Sequence, residues 1–475
     1  APRRGILGGE LRLSRPAQLL AGWGGGGWWF VGCWVGGERD RAFVPAHLGH
    51  ARASRNRGLA AAAAAVSLAS TAGVISMSFD EIEVTNVNFD EIIERRGTHC
   101  AKWDKMEAVY GVPAESGIAM WVADMDFRPP QVVQDALQAQ VNHGVHGYFG
   151  DDSEYLAAIQ WWMENRHGWK VDADAIFTTH GLVNGTAMCV DAFTQPGDGV
   201  VLFTPVYHAF ARVINAAERR VVECPLTNTS GRYEMDFDAY DALMTGDEKM
   251  LILCSPHNPG GRVWSREELQ GVADFAKRHD LVLVSDEIHH DLVMPGQKHI
   301  PMAHIDGIED RLVMMTATTK TFNMAGSHVG NVIIADPKMR QQFAARIAAM
   351  GSSPNSFGLL MATAAYSPEG AAWVDELMDY LDGNRRHFDE AVNAIPGLRS
   401  MPLEATYLAW VDFSGTGMDR AEFTERVEKS ARIAANHGAT FGTGGDSFMR
   451  FNPATPRARV EEACERLAKA FSDLQ

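Results

Sequence analysis

Four residues whose side chains or backbone could take part in chemistry each follow a short apolar run. They are Gly181, Asn258, Asp286 and Lys320. A lysine just past the end of a buried strand can be partly desolvated, which lowers its pKa and frees its amine to act as a nucleophile or a base. A glycine at the start of a helix leaves backbone N–H groups and positive dipole charge available to a phosphate.

Each of these residues also has an ordinary structural explanation. Asn258-Pro259 can be a turn, Asp286 can cap a helix, and an isolated lysine usually lies in a solvated loop. In a parallel sheet, however, the carboxyl ends of the strands share one edge, so all four residues can meet in one crevice. One ligand would then account for all of them: a phosphorylated pyridine aldehyde.

The surrounding segments alternate between strands and helices. Apolar runs predict strands at residues 175–179, 199–203, 220–224, 250–254, 281–285, 312–315 and 331–335. Helices are predicted between them, at residues 131–141, 181–193, 207–217, 236–244 and 265–278. The last of these has Ser265 as its cap and Glu268 to close a capping box. Near-continuous apolar strands separated by helices indicate an α/β fold with a mostly parallel sheet covered on both faces.

The chain has 475 residues, too many for a single core. We expect a large domain at residues 126–365 that holds the sheet and the site. Residues 86–125 and 366–475 should form a smaller α/β domain. That smaller domain should contain a short helix at 89–96 capped by Asp90, a strand at 406–413 and a helix at 420–437.

Residues 1–76 differ from the rest of the chain. They contain nine arginines, no lysine and three acidic residues, and include a run of four glycines and a run of six alanines. Part of the segment imitates a signal peptide, but at the wrong distance from the chain start, and its composition is that of transit peptides. We prefer the interpretation that Met77 is the natural start and that residues 1–76 are a poorly ordered or mis-assigned extension without function.

The net charge and the cysteine pattern argue against several classes of function for this chain. The net charge of −17 argues against a nucleic-acid-binding surface. The six cysteines are scattered without metal-ligand spacing, which is typical of reduced thiols in a cytoplasmic protein. We expect no metal site. No stretch reaches the roughly 20 apolar residues of a membrane span.

Several motifs resemble one superfamily of cofactor-dependent enzymes. Asn258-Pro259-Gly260, Asp286-Glu287-Ile288-His289 and Lys320 resemble the fold-type I pyridoxal-phosphate enzymes, the aspartate aminotransferase superfamily. Over about residues 86–475 the chain is most similar to the bacterial cystathionine β-lyases of the MalY/PatB type. The motifs of that branch are Lys102-Trp103-Asp104, residues 120–127, His146-Gly147-Tyr148, residues 204–207, residues 320–326 and Met449-Arg450-Phe451-Asn452.

The resemblance implies that pyridoxal 5′-phosphate is the cofactor. Lys320 would bind it covalently as a Schiff base. Asp286 would keep the pyridine nitrogen protonated, which makes the ring an electron sink. Asn258 would hydrogen-bond the ring hydroxyl, and Tyr207 would lie on the ring face. His289 stands where many aminotransferases carry a tyrosine.

The resemblance also implies the surroundings of the phosphate and the substrate. The backbone at Gly181 and Leu182, with Thr319, would hold the phosphate. Arg450 would bind the substrate α-carboxylate by a two-point contact. Trp121 and Asp124 would line the substrate entrance. Tyr148 would reach the phosphate of a partner subunit, which implies a homodimer with shared sites.

Three positions depart from the family pattern. Ala317 stands where a phosphate-binding serine is usual, so Thr316 or Thr318 would have to replace it. His328 occupies a position where many aminotransferases have an arginine. Ala209 stands where a proline is expected after Tyr207-His208.

The branch implies a carbon–sulfur β-lyase that acts on L-cystathionine or related cysteine S-conjugates and releases pyruvate, ammonia and a thiol. An aminotransferase of an L-amino acid stays open as an alternative, because it needs the same lysine, aspartate and arginine. A regulatory protein that keeps the cofactor fold is a third possibility. An added pair of DNA-binding helices would favour it, and residues 1–76 contain no such pattern.

Overall fold

The computed structural model describes residues 87–353 and 355–474, together with the backbone of five short strands before residue 87. The chain divides into two units, Ala1–Thr85 and Asn86–Gln475. The first unit contains a three-stranded antiparallel sheet and an antiparallel pair, formed by Leu19–Gly24, Trp28–Val35 and Ala42–His47, and by Ser67–Ser70 and Gly73–Ser76. The prediction for residues 1–76 falls largely outside the described residues and stays a prediction.

A seven-stranded sheet forms the centre of the second unit. In spatial order its strands are Ile176–Thr179, Gly330–Ile333, Leu312–Thr316, Val282–Asp286, Glu248–Cys254, Gly199–Thr204 and Arg220–Pro225. Neighbouring strands are parallel except where Gly330–Ile333 runs antiparallel to both of its neighbours. The predicted mostly parallel sheet is confirmed, and each predicted strand is present within about two residues at its ends.

Both faces of this sheet are covered. Val201 and Leu251 enter an apolar cluster on one face, whereas Val200 and Met250 enter a cluster on the other. Successive side chains of a strand point to opposite faces, so a strand that is apolar along its whole length requires cover on both sides. The strand Gly199–Thr204 is accordingly buried at every residue.

The helices of the second unit connect the strands of the sheet or lie before and after those strands in the sequence. They are Ala101–Asp104, Met106–Tyr110, Gln131–His143, Ser153–His167, Leu182–Phe193, Ala209–Ala216, Phe237–Asp241, Arg266–Arg278, Thr318–Thr321, Pro337–Met350, Ser356–Ala365, Pro368–Asn393, Arg420–Glu425 and Arg457–Ala470. The capping box is confirmed: Ser265 Oγ accepts from the Glu268 N–H at 3.2 Å, and the Glu268 carboxylate accepts from the Ser265 N–H at 2.7 Å. Within the described residues, no helix is long and apolar enough to cross a membrane.

A second apolar core surrounds a four-stranded antiparallel sheet. Its strands in spatial order are Arg399–Ser400, Ala409–Asp412, Phe448–Phe451 and Asn436–His437. Ile118 and Met120, from early in the chain, pack in this core with Phe388 and Phe451. This shared core supports a small domain built from both ends of the unit, and its predicted boundaries stay a proposal.

Residues 89–96 do not form the predicted helix. The ring of Phe89 is buried against Phe127, with centroids 5.3 Å apart. Arg95 reaches the carboxylate of Asp124 at 2.9 Å. Asp90, the predicted cap, instead accepts a hydrogen bond from a tyrosine hydroxyl. Residues 89, 90 and 96 lie in turns and residues 91–95 have no regular secondary structure. Tertiary contacts at both ends therefore hold this segment in place of the hydrogen bonds of a helix.

The helix predicted at 420–437 is also too long. It ends at Ser430 after a π-helical turn. Arg432 then adopts φ +56°, a left-handed conformation that a helix cannot continue through. The chain then forms two short strands, Ile433–Ala434, which pairs with Ile118–Ala119, and Asn436–His437. The side chain of Asn436 lies at the candidate site described below. The strand predicted at 406–413 is shorter, Ala409–Asp412.

Candidate active site

The predicted site residues lie at one edge of the central sheet. Cys254 pairs with Asp286 across neighbouring parallel strands, and Asp286 pairs in turn with Met315. The three strands therefore end at the same level, which places the loops that carry Asn258 and Lys320 on either side of Asp286. This is the convergence expected from strand ends that share an edge.

Lys320 lies on the short helix Thr318–Thr321 and is partly buried. Its amine donates a hydrogen bond to the carbonyl oxygen of Ala123 at 2.6 Å. Burial lowers the pKa of the Lys320 amine to about 8, against the attraction of Asp124 and Asp286, and the positive charge of Arg450 lowers it further. A substantial fraction of this amine is therefore neutral near pH 8 and able to act as a nucleophile or base.

Asp286 ends the strand Val282–Asp286 and is 5% exposed. Burial raises the pKa of its carboxyl to about 7; the Ile288 N–H, which donates to the carboxylate at 3.1 Å, opposes that rise. No lysine, arginine or histidine of the described residues lies within salt-bridge distance of this carboxylate. A buried carboxylate without a cationic partner is costly, and a positively charged ligand group would relieve that cost.

Arg450 presents a buried guanidinium to the same site. It donates to Asn258 Oδ1 at 2.9 Å, to Asn436 Oδ1 at 2.5 Å and to the Trp121 carbonyl at 3.0 Å. Its Nε is buried and has no partner among the described residues. Burial lowers the pKa of Arg450 to about 10, against the opposing effect of nearby tyrosines. All its partners are neutral, so the cation is positioned without a carboxylate.

His289 and Tyr207 complete the predicted ring site. His289 is buried, and in the described part of the chain its Nδ1 has no hydrogen-bond partner. Burial, with the charges of Lys320 and Arg450, lowers the pKa of His289 well below its ordinary value, so the imidazole is neutral. Tyr207 is half-buried, and burial raises the pKa of its hydroxyl.

The predicted phosphate position lies at the start of the helix Leu182–Phe193. Gly181 precedes it with φ +81°, a conformation that favours glycine, and an added Cβ there would meet no described atom within 4 Å. Thr319 and Leu182 are buried. The space and the free N–H groups of this helix suit a phosphate.

The structure distinguishes the two threonines that could replace the serine missing at Ala317. Thr316 Oγ1 already accepts from Asn331 Nδ2 at 3.3 Å. Thr318 Oγ1 is buried without a partner among the residues that the structure describes. Thr318 is therefore the free hydroxyl of the pair. His328 is exposed, with φ +48°.

Trp121 and Asp124 have structural partners of their own. The Trp121 indole N–H donates to the Lys102 carbonyl at 2.8 Å. The Asp124 carboxylate forms a two-point contact with Arg95, at 3.1 and 2.9 Å. Their predicted place at the substrate entrance is untested. Tyr148 is fully exposed, so within this chain it does not join the site, and its predicted contact with a partner subunit stays a prediction.

Sequence reasoning missed the residues that hold the segment 121–127 over Lys320. Asn323 donates to the carbonyls of Met125 and Phe127, at 2.8 and 2.7 Å, and accepts from the Met125 N–H at 2.8 Å. The Tyr407 hydroxyl donates to the Ala123 carbonyl at 3.0 Å. Asn323 has φ +54°, and asparagine tolerates this conformation better than most residues. The position of Asn323 three residues after Lys320 is the feature of the sequence that could have identified it.

A buried ionic cluster anchors the same segment from below. Lys102 and Arg95 contact the Asp126 carboxylate at 3.0 and 2.8 Å, and the Trp103 indole N–H donates to it at 3.0 Å. Burial alone would raise the pKa of Asp126, but these partners outweigh it and hold the value at about 2. Lys102, Trp103 and Asp126 within these motifs therefore have a structural role.

A family model described as aminotransferase class I and II matches residues 119–467. The chain belongs to this family. It is 38% identical over 390 residues to the cystathionine β-lyase PatB of Bacillus subtilis, covering 81% of this chain and 100% of PatB. It is 30% identical over 389 residues to the protein MalY of Escherichia coli, covering 81% of this chain and 98% of MalY. The predicted superfamily and its fold are confirmed.

A solved structure agrees with this family assignment. Cystalysin from Treponema denticola, which contains a pyridoxal 5′-phosphate cofactor, is 36% identical with a TM-score of 0.78, covering 82% of this chain and 100% of cystalysin. The site of this chain fits the same group. Asp286 lacks a cationic partner among the described residues, the helix start at Gly181 has room for a phosphate, and Lys320 can form the covalent bond.

Proposed function

We propose that this chain is a pyridoxal-phosphate-dependent carbon–sulfur β-lyase. Its substrates would be L-cystathionine or related cysteine S-conjugates, and its products pyruvate, ammonia and a thiol. The observation that carries the proposal is the meeting of Lys320, Asp286 and Arg450 at one edge of the sheet, each buried enough to shift its pKa toward the neutral form. The relationship to PatB supports the choice of reaction.

The chain's own residues would bind and orient the substrate. Arg450 would bind the α-carboxylate by donating hydrogen bonds from its buried, pre-positioned guanidinium. Asp286 would hold a proton on the pyridine nitrogen, and bound pyridoxal phosphate supplies an electron sink for the pair left when the substrate Cα loses its proton. Asn258 would contact both the cofactor's ring hydroxyl and Arg450.

Lys320 would act as the base. Freed when the substrate amine takes its place, its neutral amine would remove the Cα proton. The bond from Cβ to sulfur then breaks, and the sulfur departs as a thiolate that takes up a proton. Addition of one water molecule to the remaining unsaturated amine gives pyruvate and ammonia, so the reaction needs no oxidant or reductant.

We also propose a cytoplasmic homodimer with shared sites, in which Tyr148 reaches the partner's phosphate. Three further exposed apolar side chains lie close to Tyr148 in sequence, namely Val141, Val145 and Phe149, and they support an interface there. Sedimentation of the active enzyme should give twice the 52.0 kDa mass of the chain. A fully active monomer would contradict shared sites.

The deciding experiment measures pyruvate release from L-cystathionine by the purified holoenzyme in the absence of any keto acid. We expect release by the wild type and none by Lys320→Ala. Absence of release, with conversion of the bound cofactor to its amine form, would instead support the alternative, an aminotransferase of an L-amino acid. The family description and the residues common to both reactions keep that alternative open.

A further inference from the structure

Two histidines and one aspartate meet outside the site described above. His167 ends the helix Ser153–His167, and His290 and Asp291 lie in the turn after the strand Val282–Asp286. His167 Nε2 lies 2.8 Å from Asp291 Oδ1, and His290 Nε2 lies 3.0 Å from Asp291 Oδ2. The two imidazole rings have centroids 4.4 Å apart. One carboxylate thus faces two imidazoles through its two oxygens.

The His290 contact is close but is not a hydrogen bond. His290 is 2% exposed, and its Nε2 lacks a correctly aligned partner among all residues that the structure describes. A buried imidazole nitrogen without a partner is costly. This nitrogen faces the same carboxylate as His167, so one cation between them would satisfy it.

Two side chains outside the cluster hold the Asp291 carboxylate in its orientation. The Trp162 indole N–H donates to Asp291 Oδ1 at 3.0 Å, and the Thr321 hydroxyl donates to Oδ2 at 2.8 Å. Outer hydrogen bonds that fix a carboxylate while leaving a lone pair on each oxygen are the usual support of a metal ligand.

The cluster opens into a cleft of about 760 Å³, lined by all three residues and by His299. Three cationic side chains also line this cleft: Arg166, which is paired with Asp375 at 2.8 Å, Arg266, which donates to the His304 carbonyl at 2.9 Å, and Lys298. His299 Nε2 donates to the Glu287 carboxylate at 2.8 Å, and His299 is not required as a ligand. Three protein ligands with one open side leave a coordination position for water.

We propose that His167, His290 and Asp291 bind one divalent transition-metal ion of the Zn²⁺ or Co²⁺ class. Their ligand atoms all lie within 4.8 Å of one another, so small side-chain movements bring them to one ion. Imidazole and carboxylate ligands suit these ions. Thr321, which holds the carboxylate, directly follows Lys320. The ion would therefore fix the outer side of the turn that carries the catalytic lysine.

The test uses the full-length holoenzyme without a histidine tag, stripped with a chelator and titrated with Co²⁺. We expect one Co²⁺ per chain, with a d–d absorption band of a nitrogen- and oxygen-ligated ion. His167→Gln and His290→Gln should each weaken binding by at least ~10-fold. His279→Gln is the matched control, because His279 Nε2 also contacts one carboxylate, Asp241 at 2.6 Å, but without a second imidazole. Binding to this variant should equal that of the wild type.

A second measurement does not depend on the folding of variants. Crystals of the wild-type holoenzyme soaked in Zn²⁺ should show an anomalous scattering peak between the three side chains. Absence of a peak there, or Co²⁺ binding that is equally tight in the wild type and both folded histidine variants, would overturn the proposal. Circular dichroism and the absorbance of the bound cofactor establish that each variant is folded.

Discussion

At the scale of single residues, burial moves the charged groups of the site toward their neutral forms. The pKa values of Lys320, Asp286 and Arg450 shift to about 8, 7 and 10. Asp286 has no cation within salt-bridge distance and Arg450 no carboxylate among the described residues. A ligand that brings a cationic ring nitrogen and a carboxylate would supply both missing charges, so its binding would offset the cost of burying them.

Asp286→Asn should lower kcat/KM for pyruvate release by ~100-fold or more, because a neutral amide cannot hold a proton on the pyridine nitrogen. The measurement is steady-state pyruvate release, with cofactor content followed by absorbance. The exposed Asp306→Asn is the control and should behave as the wild type. A variant at position 286 that binds the cofactor and keeps full activity would refute this role.

The raised pKa of Asp286 also makes the stability of the cofactor-free chain depend on pH. Between its ordinary value of 3.8 and about 7, the folded chain keeps a proton that the unfolded chain has released. The contribution of Asp286 to the free energy of unfolding is therefore fully present below about pH 4 and falls as pH rises to about 7, by roughly 4 kcal/mol at most. Urea unfolding at several pH values measures this fall.

The same unfolding series on cofactor-free Asp286→Asn provides the comparison. Its free energy of unfolding should lack the part of the pH dependence that Asp286 contributes between about pH 4 and 7. Identical pH dependence in the two proteins would show that the carboxyl is not buried in its neutral form.

At the scale of elements, the segment 121–127 is held over Lys320 by side chains from three other parts of the chain. Asn323, Tyr407 and Asn452 all bind its backbone, the last by donating to the carbonyls of Val122 and Asp124 at 2.7 and 2.6 Å. Because a loop has no regular backbone hydrogen bonds of its own, these side chains must donate hydrogen bonds to its buried carbonyls. The position of Ala123, which accepts from the Lys320 amine, depends on them.

Asn323→Ala should destabilise the holoenzyme by about 3 kcal/mol, since three hydrogen bonds of about 1 kcal/mol each are lost. Its kcat should fall as well, because the segment facing Lys320 is released. Asn323→Gly, which keeps the left-handed backbone conformation at φ +54°, should be less destabilised than the alanine variant. Urea unfolding and kcat measure both effects, and an alanine variant as stable as the wild type would contradict them.

At the scale of the whole molecule, residues 86–475 form a compact unit in which both ends of the segment share one apolar core. The family match at residues 119–467 lies entirely within this unit. The enzyme's folding and chemistry should therefore be independent of the residues before it.

A chain that starts at Met77 should fold and keep the kcat/KM of the full chain within about twofold, because a compact unit with its own core can fold alone. Thermal unfolding and pyruvate release are the measurements. Loss of folding or of activity on removal of residues 1–76 would show that these residues have a role.

The sequence alone determined the central sheet and its reactive edge. Apolar strand runs and intervening helices are local signals, and they place Asp286, Asn258 and Lys320 after strand ends that must share an edge. The motifs around them then indicated the family, which the family match confirms.

Only the tertiary structure decided the contacts between distant segments. Residues 89–96 are not helical because Phe89 and Arg95 meet different partners, and the helix after Arg420 ends early, which lets Asn436 reach Arg450. His167 and Asp291 meet across 124 positions of sequence. Hydrophobic periodicity reports which face of an element is buried but not which distant residue it meets, so these pairings had no local signal.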